Sequence, residues 1–498
     1  MKLLNNYFDK QHFLIVVVSI LIYFITAIHS HGYYHADEHY QLIEFAGIKS
    51  GTHTPEELAW EYNAQLRPTL QPTIGVGVLY LLRAVGLNNP YNKALVFRLL
   101  TAFLALIVIS IFVKNTLIQF SNHRLRGFYI LFSYLLWYIP FMSVRFSSET
   151  WAGLMFLLAL AFIENKKYVQ NKLFLTGMIL GLSFLFRFQM GFLIVCVFVW
   201  LFYINKISFS QLLKIFSGIT SIILLGSVLD SWFYEEIVFT PWNYFMSFFN
   251  TGGKSFGSEP WYYYFSRLLV APTLFIGIPV LASIAILLIK EPKNLFLWCF
   301  LVFIAIHSLI PHKEVRFLFP IVFLIPVILI KAYTHLSFFI NRNRILHLLQ
   351  YLLIFVFLIV NSTGLIVMTQ KSAGIGRMEI TKYIHENYTD KPINLIFASW
   401  SNPYNPWQSI PAKFYLEKNM ISHEIRNLCA LNDSLVEAGA HNILVFRKIN
   451  FEKAECKNFI QSNGFEYKLQ SIPVWVEYLN KYYNGFDSRE IIVLYEHN

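Results

Sequence analysis

The sequence predicts an α-helical polytopic membrane protein that ends in a small α/β domain. Of the 498 residues, 56% are hydrophobic and 14% are charged, whereas a soluble globular chain has roughly 25% charged residues. Long apolar runs recur through residues 1–369, and a more polar segment follows them. The formal net charge of +11 is explained by loop lysines that face anionic lipid, so we expect no nucleic-acid partner.

Twelve apolar runs are long enough to form helices in lipid. They lie near residues 12–29, 69–86, 92–113, 126–143, 149–164, 172–187, 190–204, 211–229, 268–289, 294–310, 317–334 and 345–369. The first run follows two lysines and resembles a signal peptide, but no small-residue cleavage site follows it. We therefore predict an uncleaved first span and a cytoplasmic N-terminus.

The basic loops indicate how these runs cross the membrane, because lysine and arginine favour cytoplasmic loops. The basic clusters begin at Lys114, Lys166, Lys206, Lys290 and Lys331. Only an even number of spans can separate a cytoplasmic N-terminus from the first cluster, yet three runs precede it. The run at 69–86 contains a proline, three glycines and an arginine, so we predict that it lies at the outer membrane surface. Eleven spans and an external C-terminus remain.

Two domains are predicted from the change in composition. Residues 1–369 form a transmembrane domain, with an external loop at 29–92 and a second external segment, rich in Trp and Tyr, at 230–267. Residues 370–498 form an extracytoplasmic α/β domain, in which INLIFAS, HNILVFR and REIIVLYE are predicted strands. There, Cys429 and Cys456 could form a disulfide in an oxidising compartment, whereas the other two cysteines lie in apolar runs.

Acidic residues follow the first span directly, in the segment HGYYHADEHYQLIEFA. Asp37 or Glu38 could act as a general base toward a substrate whose reactive end lies at the membrane surface. The alternative is that these acids and histidines have no function and occur there because juxtamembrane loops are in contact with water. Neighbouring histidines are four residues apart, but the HExxH pattern of zinc enzymes is absent, so we expect no metal. Further along, LAWEYNAQLRPTLQP adds Glu61 and Arg67.

Charged residues also occupy three turns that this topology places outside. They are Arg145 and Glu149 in one turn, Arg187 in the next, and His312, Lys313, Glu314 and Arg316 in the segment IPHKEVRF. Ionisable groups at membrane depth are costly and usually functional, so these turns and the first loop together indicate one site. The last turn suits a lipid phosphate, because arginine binds phosphate through two parallel hydrogen bonds. A snorkelling basic anchor is the alternative, although such anchors prefer the cytoplasmic side.

These segments resemble the motifs of eukaryotic mannosyltransferases of the endoplasmic-reticulum lumen, which build the GPI anchor and the N-glycan precursor from dolichyl-phosphate-mannose. HKEVRF resembles their HKExRF hallmark, and HADEHYQLIEFA is similar to their PDE-[YF]-[WF]-Q segment, with Ala36 in place of proline. LAWEYNAQLRPTLQP resembles LTWEW…RS-x-x-x-P and departs at Tyr62 and Pro68. RFSSETWAG is similar to R-x-x-[ST]-N-x-x-E, with Ser148 where asparagine is common. The resemblance ends at Phe317 and does not cover the C-terminal domain.

The resemblance implies a GT-C glycosyltransferase fold and an inverting transfer of a sugar, mannose, from a polyprenyl-phosphate donor to a glycan or glycolipid acceptor. It implies no metal or cofactor. The expected catalytic residues are Asp37 and Glu38, and the expected phosphate-binding residues are His312, Lys313, Arg316 and Arg187. The residues expected to orient these groups or to bind acceptor are Glu314, Glu61, Arg67, Arg145 and Glu149. We expect a bacterial inner-membrane protein with an external active site, or an endoplasmic-reticulum protein in a eukaryote.

Two other functions remain open at this point. A polysaccharide polymerase or ligase also uses lipid-linked sugars outside the cytoplasm. A glycolipid transporter or flippase would show paired half-chain repeats and charges at the membrane midplane. This sequence contains no such repeat, and the predicted topology places its charged turns toward one face.

Overall fold

Long helices fill the chain as far as residue 370, and a five-stranded sheet lies beyond them. The computed structural model describes residues 10–165, 172–251, 257–340, 344–388, 390–398, 400–405, 410–426, 435–451, 460 and 462–497. The disulfide considered between Cys429 and Cys456 therefore lies outside the described residues, as does the start of the basic cluster at Lys166.

The longer helices overlap each of the twelve apolar runs. In chain order they are α1 (Lys10–His29), α2 (Leu70–Ala84), α3 (Pro90–Thr116), α4 (His123–Leu135), α5 (Ser148–Glu164), α6 (Leu173–Phe186), α7 (Met190–Tyr203), α8 (Phe209–Tyr234), α9 (Thr240–Thr251), α10 (Tyr263–Val270), α11 (Leu274–Lys290), α12 (Leu295–Leu309), α13 (Ile325–Ile340), α14 (Arg344–Gln370), α15 (Arg377–Asn387) and α16 (Val474–Tyr483). Shorter helical segments are Asp37–His39, Tyr40–Glu44, Phe45–Lys49, Pro55–Glu57, Trp60–Asn63, Leu117–Gln119, Tyr138–Ser143, Val315–Leu318, Phe319–Val322, Lys413–Tyr415, Lys448–Phe451 and Ser488–Glu490.

Several of these helices are long and apolar enough to cross a membrane. Within the described ranges, Pro90–Gln119, α8 and α14 qualify singly. Two bent pairs qualify only together: α11 with α12, at 118°, and Val315–Val322 with Ile325–Ser337, at 65°. The 15 residues of α2 span about 22 Å, which is shorter than the ~30 Å hydrocarbon core. The number of eleven spans and the surface position of α2 stay predictions.

Local sequence explains where the helices begin and how closely they pack. The Ser147 hydroxyl accepts the Thr150 N–H at 3.2 Å and so caps α5, because the first turn of a helix leaves its N–H groups unpaired. Glycines let α6 and α8 touch through their backbones: a Cβ on Gly177 would lie 2.0 Å from the Ile215 carbonyl oxygen. Small residues at such contacts are typical of helices that pack in membranes.

By its internal contacts the described chain divides into two compact units. The helical unit comprises the residues up to Thr26, Ala64–Ile74 and Arg98–Thr369. The loop–sheet unit comprises Ala27–Asn63, Gly75–Phe97 and the residues from Gln370 onward. Most of the predicted external loop at 29–92 thus belongs to the same unit as the C-terminal sheet.

The sheet of the loop–sheet unit has the strand order β2-β1-β3-β5-β4. Its strands are β1 (Ile393–Ala398), β2 (Met420–Ile425), β3 (His441–Arg447), β4 (Phe465–Gln470) and β5 (Ile492–His497). β1 pairs in parallel with β2 and β3, whereas β5 pairs antiparallel with β3 and β4. Alternate side chains enter two cores, since Leu395 packs in one cluster with Tyr40 and Tyr91, while Ile396 packs in the other.

The predicted strands correspond to β1, β3 and β5, and the small C-terminal sheet is confirmed. The prediction missed β2 and β4, which are the two edge strands. Their sequences, MISHEI and FEYKLQ, carry polar residues because one side of an edge strand faces water, and most of their side chains are partly or fully exposed. Their apolar signal is therefore weak.

The surface position predicted for α2 has a direct test. Asn63 and Asn88 flank α2 and are exposed, so single cysteines at these positions should both react with a membrane-impermeant thiol reagent added from the external side. Cys429 and Cys456 would first be replaced by serine, whereas Cys196 and Cys299 are buried and can stay. Labelling of the two positions from opposite sides of the membrane would contradict the prediction.

Candidate active site

Three separate segments of the helical unit bring the charged side chains of Glu149, Arg187 and Arg316 together. This residue lies in the first turn of α5, where the helix dipole favours a carboxylate. Arg187 follows the last residue of α6, and Arg316 lies in the short helical turn Val315–Leu318. All three side chains are buried. The site therefore joins residues that lie up to 167 positions apart in the sequence.

Glu149 is shared by the two arginines. One of its oxygens, Oε1, lies 2.8 Å from Nη1 of Arg187 and 3.0 Å from Nη1 of Arg316. Arg316 also donates through Nε to Glu314, whose other oxygen lies 2.7 Å from Nε2 of His312. The structure thus brings together five of the residues that the sequence indicated for one site: His312, Glu314, Arg316, Arg187 and Glu149.

Phe317 is a member of this cluster to which sequence reasoning gave no role. The guanidinium carbons of Arg187 and Arg316 each lie 5.2 Å from the centroid of its ring. An aromatic face attracts cations, most strongly where water is excluded. The ring therefore helps to hold both guanidinium groups beside one carboxylate, which gives the final letter of HKEVRF a physical role. Its place inside the motif was the signal that could have identified it.

Lys313 is held differently from the arginines. Its Nζ donates to the backbone carbonyl of Glu259 at 2.7 Å and to that of Pro311 at 3.4 Å. The residue is only 5% exposed. Burial lowers the pKa of Lys313, and the nearby Glu259 carboxylate opposes that effect in part. The hydrogen bonds of this ammonium group thus go to neutral carbonyl oxygens rather than to a carboxylate.

Two other predicted residues of the helical unit lie at aromatic rings. Arg145 is buried with its guanidinium carbon 5.1 Å from the centroid of Phe141. Arg67 lies over the ring of Tyr244, at 5.9 Å. Arg145 precedes α5 and Arg67 precedes α2, so both cations lie near the N-terminal ends of helices.

Asp230 is a buried structural residue whose role the sequence did not reveal. Its Oδ1 accepts the backbone N–H of Thr69 at 2.8 Å and the Thr69 hydroxyl at 2.6 Å, and its Oδ2 accepts the hydroxyl of Thr240. Thr69 precedes α2 and Thr240 begins α9, so one buried carboxylate fixes the start of both helices. An acidic residue at the end of an apolar run was the available signal.

Asp37 and Glu38 lie in the loop–sheet unit. Oδ1 of Asp37 lies 3.6 Å from Nδ1 of His35, and the Asp37 side chain is 20% exposed. The Glu38 carboxylate instead accepts the backbone N–H groups of Tyr34 and, at 3.4 Å, of His35. Glu38 therefore fixes the course of the chain after α1, whereas the Asp37 carboxylate lies beside the titratable side chain of His35.

Glu61 belongs to the same unit and is buried there. Its Oε1 accepts a hydrogen bond from Nε2 of Gln41 at 3.1 Å. This contact ties the short helix Trp60–Asn63 to the π-helical turn Tyr40–Glu44 that follows Asp37. The structure therefore places Glu61 among the supports of the first loop.

A buried carboxylate, Glu44, holds the first loop from within. It accepts from Nε2 of His39 at 2.5 Å, from Nε2 of His53, and from the Phe414 N–H at 3.2 Å. Burial alone would raise the pKa of Glu44, but the charges and hydrogen bonds of the two histidines lower it to about 2. The ring of His39 is stacked on Tyr415, with centroids 5.2 Å apart.

The histidines near Asp37 are of a residue type that binds metals. Two of them, His35 and His39, contact Asp37 and Glu44 respectively. Within the residues that the structure describes, no group of three or more His, Cys, Asp and Glu side chains is arranged to hold a metal ion.

Comparison with known proteins identifies the family. The model of the Alg9-like mannosyltransferase family matches residues 13–417. The chain belongs to this family. The match includes every predicted site residue, from Asp37 to Arg316, and agrees with the resemblance seen in HKEVRF.

Individual relatives share part of their length with this chain. GPI mannosyltransferase 3 of Candida albicans is 25% identical over 300 residues, which are 58% of this chain and 57% of that protein. Alpha-1,2-mannosyltransferase ALG9 of Saccharomyces cerevisiae is 39% identical over 127 residues, which are 24% of this chain and 22% of that protein. The chain thus spans little more than half the length of the Candida relative.

A solved structure shows the same fold. ArnT from Cupriavidus metallidurans, crystallised with undecaprenyl phosphate, superposes with a TM-score of 0.52 over 97% of both chains, at 12% sequence identity. The structure without ligand gives a TM-score of 0.51. The predicted GT-C fold, mostly helical and with a small C-terminal sheet, is confirmed.

Replacing Glu149 by glutamine should destabilise the protein strongly. The change removes the one charge that both Arg187 and Arg316 contact, and breaking a buried ion pair costs about 3–5 kcal/mol. A matched control is Glu57→Gln, which removes the partner of Lys413 from a pair at the surface, where solvent screens the interaction and the midpoint should change little. The thermal unfolding midpoint in detergent measures both. Equal midpoints for the two variants would contradict the shared role of Glu149.

The stabilisation due to Glu44 should depend on pH. Its pKa in the folded protein, about 2, lies below the ordinary value of 4.5, so folding favours the ionised carboxylate. The stabilisation, on the order of 3 kcal/mol, is complete above the ordinary pKa and is lost as the pH falls toward 2. The difference in thermal midpoint between wild type and Glu44→Gln should therefore shrink on acidification below about pH 4.5. A constant difference would contradict this account, and Glu386→Gln, in an exposed pair, is the control.

Proposed function

We propose that this protein transfers mannose from a polyprenyl-phosphate donor to a hydroxyl group of a glycan or glycolipid acceptor. The transfer occurs on the extracytoplasmic side of the membrane and inverts the configuration at the sugar C1. The observation that carries the proposal is the buried ammonium group of Lys313, which donates to carbonyl oxygens and belongs to the same turn as Arg316, a partner of Glu149. The family match and the names of its relatives, which are mannosyltransferases, support mannose as the sugar.

Among the described residues of the Glu149 cluster and the turn that carries Lys313, the buried cations outnumber the buried or half-buried carboxylates. Arg187, Arg316 and Lys313 are buried cations, whereas Glu149 is a buried carboxylate and Glu314 is a half-buried one. One positive charge is left over, without counting His312 or the exposed Glu259 carboxylate, which opposes the effect of burial on Lys313 only in part. Uncompensated charge in a poorly hydrated site is costly. An anion that enters the site removes this cost, and the single negative charge of a polyprenyl-phosphate sugar matches the excess.

The same excess of positive charge also favours the transfer reaction. The donor is a phosphodiester with one negative charge, and the departing polyprenyl phosphate carries up to two. Charge therefore develops on the phosphate oxygen as the bond to C1 breaks, and fixed cations stabilise a charge that grows in the transition state more than one already present. In this proposal Lys313 and Arg316 contact the phosphate, His312 and Arg187 line its site, and Glu149 and Glu314 orient the two arginines.

Asp37 is the proposed general base. It accepts the proton of the acceptor hydroxyl, whose oxygen attacks C1 from the face opposite the phosphate. Glu38 is less suited to this role because its carboxylate already accepts backbone N–H groups. His35 accepts the backbone N–H of Asp37 through Nδ1 at 3.3 Å, which supports the backbone of the residue that carries the base. Glu61, Arg67 and Arg145 complete the proposal as residues that orient these groups or bind the acceptor.

A direct assay tests the activity. Purified protein in detergent is incubated with polyprenyl-phosphate-mannose and a panel of mannose-containing glycans and glycolipids, and free polyprenyl phosphate and mannosylated acceptor are quantified together. Equal amounts of both products are expected, with a glycosidic bond of inverted configuration. Donor that stays intact with every acceptor of the panel would contradict the proposal, and hydrolysis without transfer would remove the acceptor step from it.

Replacing Asp37 by asparagine should lower transfer by about 100-fold or more, because general base catalysis contributes 10²–10⁴-fold. Asparagine keeps the shape of the side chain and removes its basicity, so donor binding should stay unchanged. The matched control is Asp390→Asn, since Asp390 also lies beside a histidine, His441, at 2.7 Å. Near-normal turnover of a folded Asp37→Asn protein, together with loss of turnover in Glu38→Gln, would assign the role to Glu38 instead.

A further inference from the structure

The helix α16 of the loop–sheet unit leaves one face without cover from the described residues. Four apolar or aromatic side chains on this face are largely exposed: Val474 (67%), Trp475 (39%), Tyr478 (55%) and Tyr482 (74%). At 100° per residue these positions and Lys481 fall within an arc of about 120°, which is the width of the apolar stripe of an amphipathic helix. Large exposed apolar patches mark surfaces that contact a partner or a membrane.

The opposite side of α16 is attached to the domain. Val476 is fully buried, and the side-chain Nδ2 of Asn480 donates to the Phe486 carbonyl at 2.6 Å. Glu477, the one acidic residue of the helix, contacts Lys448 Nζ at 2.6 and 2.7 Å and is therefore turned away from the exposed face. The ionisable side chain of Lys481 is thus the one full charge on that face, and it is positive.

The residues that precede and follow α16 in the sequence contact the residues that directly follow α14, the last of the long apolar helices. The Ser471 hydroxyl donates to the Ile375 carbonyl at 2.7 Å, and the ammonium group of Lys371 lies 5.1 Å from the ring centroid of Phe486. The approach at Gly376 is so close that a Cβ would lie 2.1 Å from the Ser471 carbonyl oxygen. Since Lys371 is the first residue after α14, these contacts join the sequence around α16 to the segment that leaves that helix.

The length of α14 indicates where its end lies in a bilayer. Its 27 residues extend for about 40 Å at 1.5 Å per residue, which matches the ~40–45 Å of a bilayer with its polar head groups. The end of α14 therefore falls in the head-group layer, together with the segment from Lys371 that contacts the residues around α16. Trp and Tyr favour this layer, and a lysine there can contact anionic lipid.

From this placement we infer that α16 lies on the external membrane surface, with its exposed face in the interfacial layer of the bilayer. Val474, Trp475, Tyr478 and Tyr482 enter the boundary between head groups and acyl chains, and Lys481 contacts lipid phosphates. The C-terminal domain is then fixed to the membrane at two points, the end of α14 and the face of α16.

Spin labels on the full-length protein test the inference in nanodiscs made of phosphatidylethanolamine and phosphatidylglycerol. In a background with Cys429 and Cys456 replaced by serine, a nitroxide is attached at Tyr482→Cys or Trp475→Cys. The matched control is Tyr467→Cys, another exposed tyrosine of the same unit, on the edge strand β4. Collision rates with oxygen, which concentrates in lipid, and with a water-soluble nickel complex report the depth of each label.

The labels at 482 and 475 should lie about 5–10 Å below the boundary of head groups and acyl chains, and the label at 467 should be exposed to the nickel complex. Equal exposure of all three labels to the nickel complex would overturn the inference. Labels at 482 and 475 that collide with nickel but become immobile when a manno-oligosaccharide is added would also overturn it, and would make the face a glycan-binding surface. Because no catalytic readout is used, the outcome is independent of the proposed function.

Discussion

One carboxylate between two buried arginines is the constraint on which the helical unit depends. Arg187 and Arg316 stay ionised when buried, because the guanidinium group cannot lose its proton in a protein, so a negative partner must lie beside them. Glu149 meets both. To do so, the start of α5, the end of α6 and the turn Val315–Leu318 must converge. The close backbone packing of α6 on α8 then supports one of these three segments.

The charge balance of this cluster also bears on ligand binding. A carboxylate for each cation would have produced a balanced ion-pair network, which contributes rigidity but has no need for a ligand. Here the hydrogen bonds of Lys313 go to neutral carbonyl groups rather than to a carboxylate. In the proposed mechanism the turn HKEVRF therefore combines two functions: Arg316 and Phe317 stabilise the cluster, while Lys313 provides positive charge for the donor phosphate.

A second buried carboxylate organises the loop–sheet unit. Glu44 joins His39, His53 and the backbone of Phe414, and so links the chain after Asp37 to the short helix Lys413–Tyr415. These contacts fix the segment that carries Asp37, the proposed general base, and such a group needs support because small errors of position reduce catalysis greatly. In the proposed mechanism the C-terminal domain supports Asp37 by holding the first loop.

Sequence patterns predicted the features that depend on local composition. Apolar length located the helices, short apolar segments located the buried strands β1, β3 and β5, and the charged segments contained the residues that meet around Glu149. Long-range pairings were not predictable in this way. Nothing in the sequence shows that Glu149 serves two arginines at once, or that Asp230 binds Thr69 across 161 positions. The edge strands β2 and β4 were missed because their outer sides face water and weaken the apolar signal.

The binding of donor phosphate to the charged cluster tests the central claim most directly. Full-length protein in detergent is titrated with polyprenyl phosphate, and the affinities of Lys313→Ala and Arg316→Lys are compared with those of wild type and of Lys413→Ala, a lysine of the other unit. A charge-assisted contact is worth about 1.5–3 kcal/mol, so each of the first two changes should weaken binding by roughly ten- to a hundredfold. Lys413→Ala should bind like wild type. Undiminished affinity of Lys313→Ala and Arg316→Lys, with thermal stability unchanged, would contradict the account.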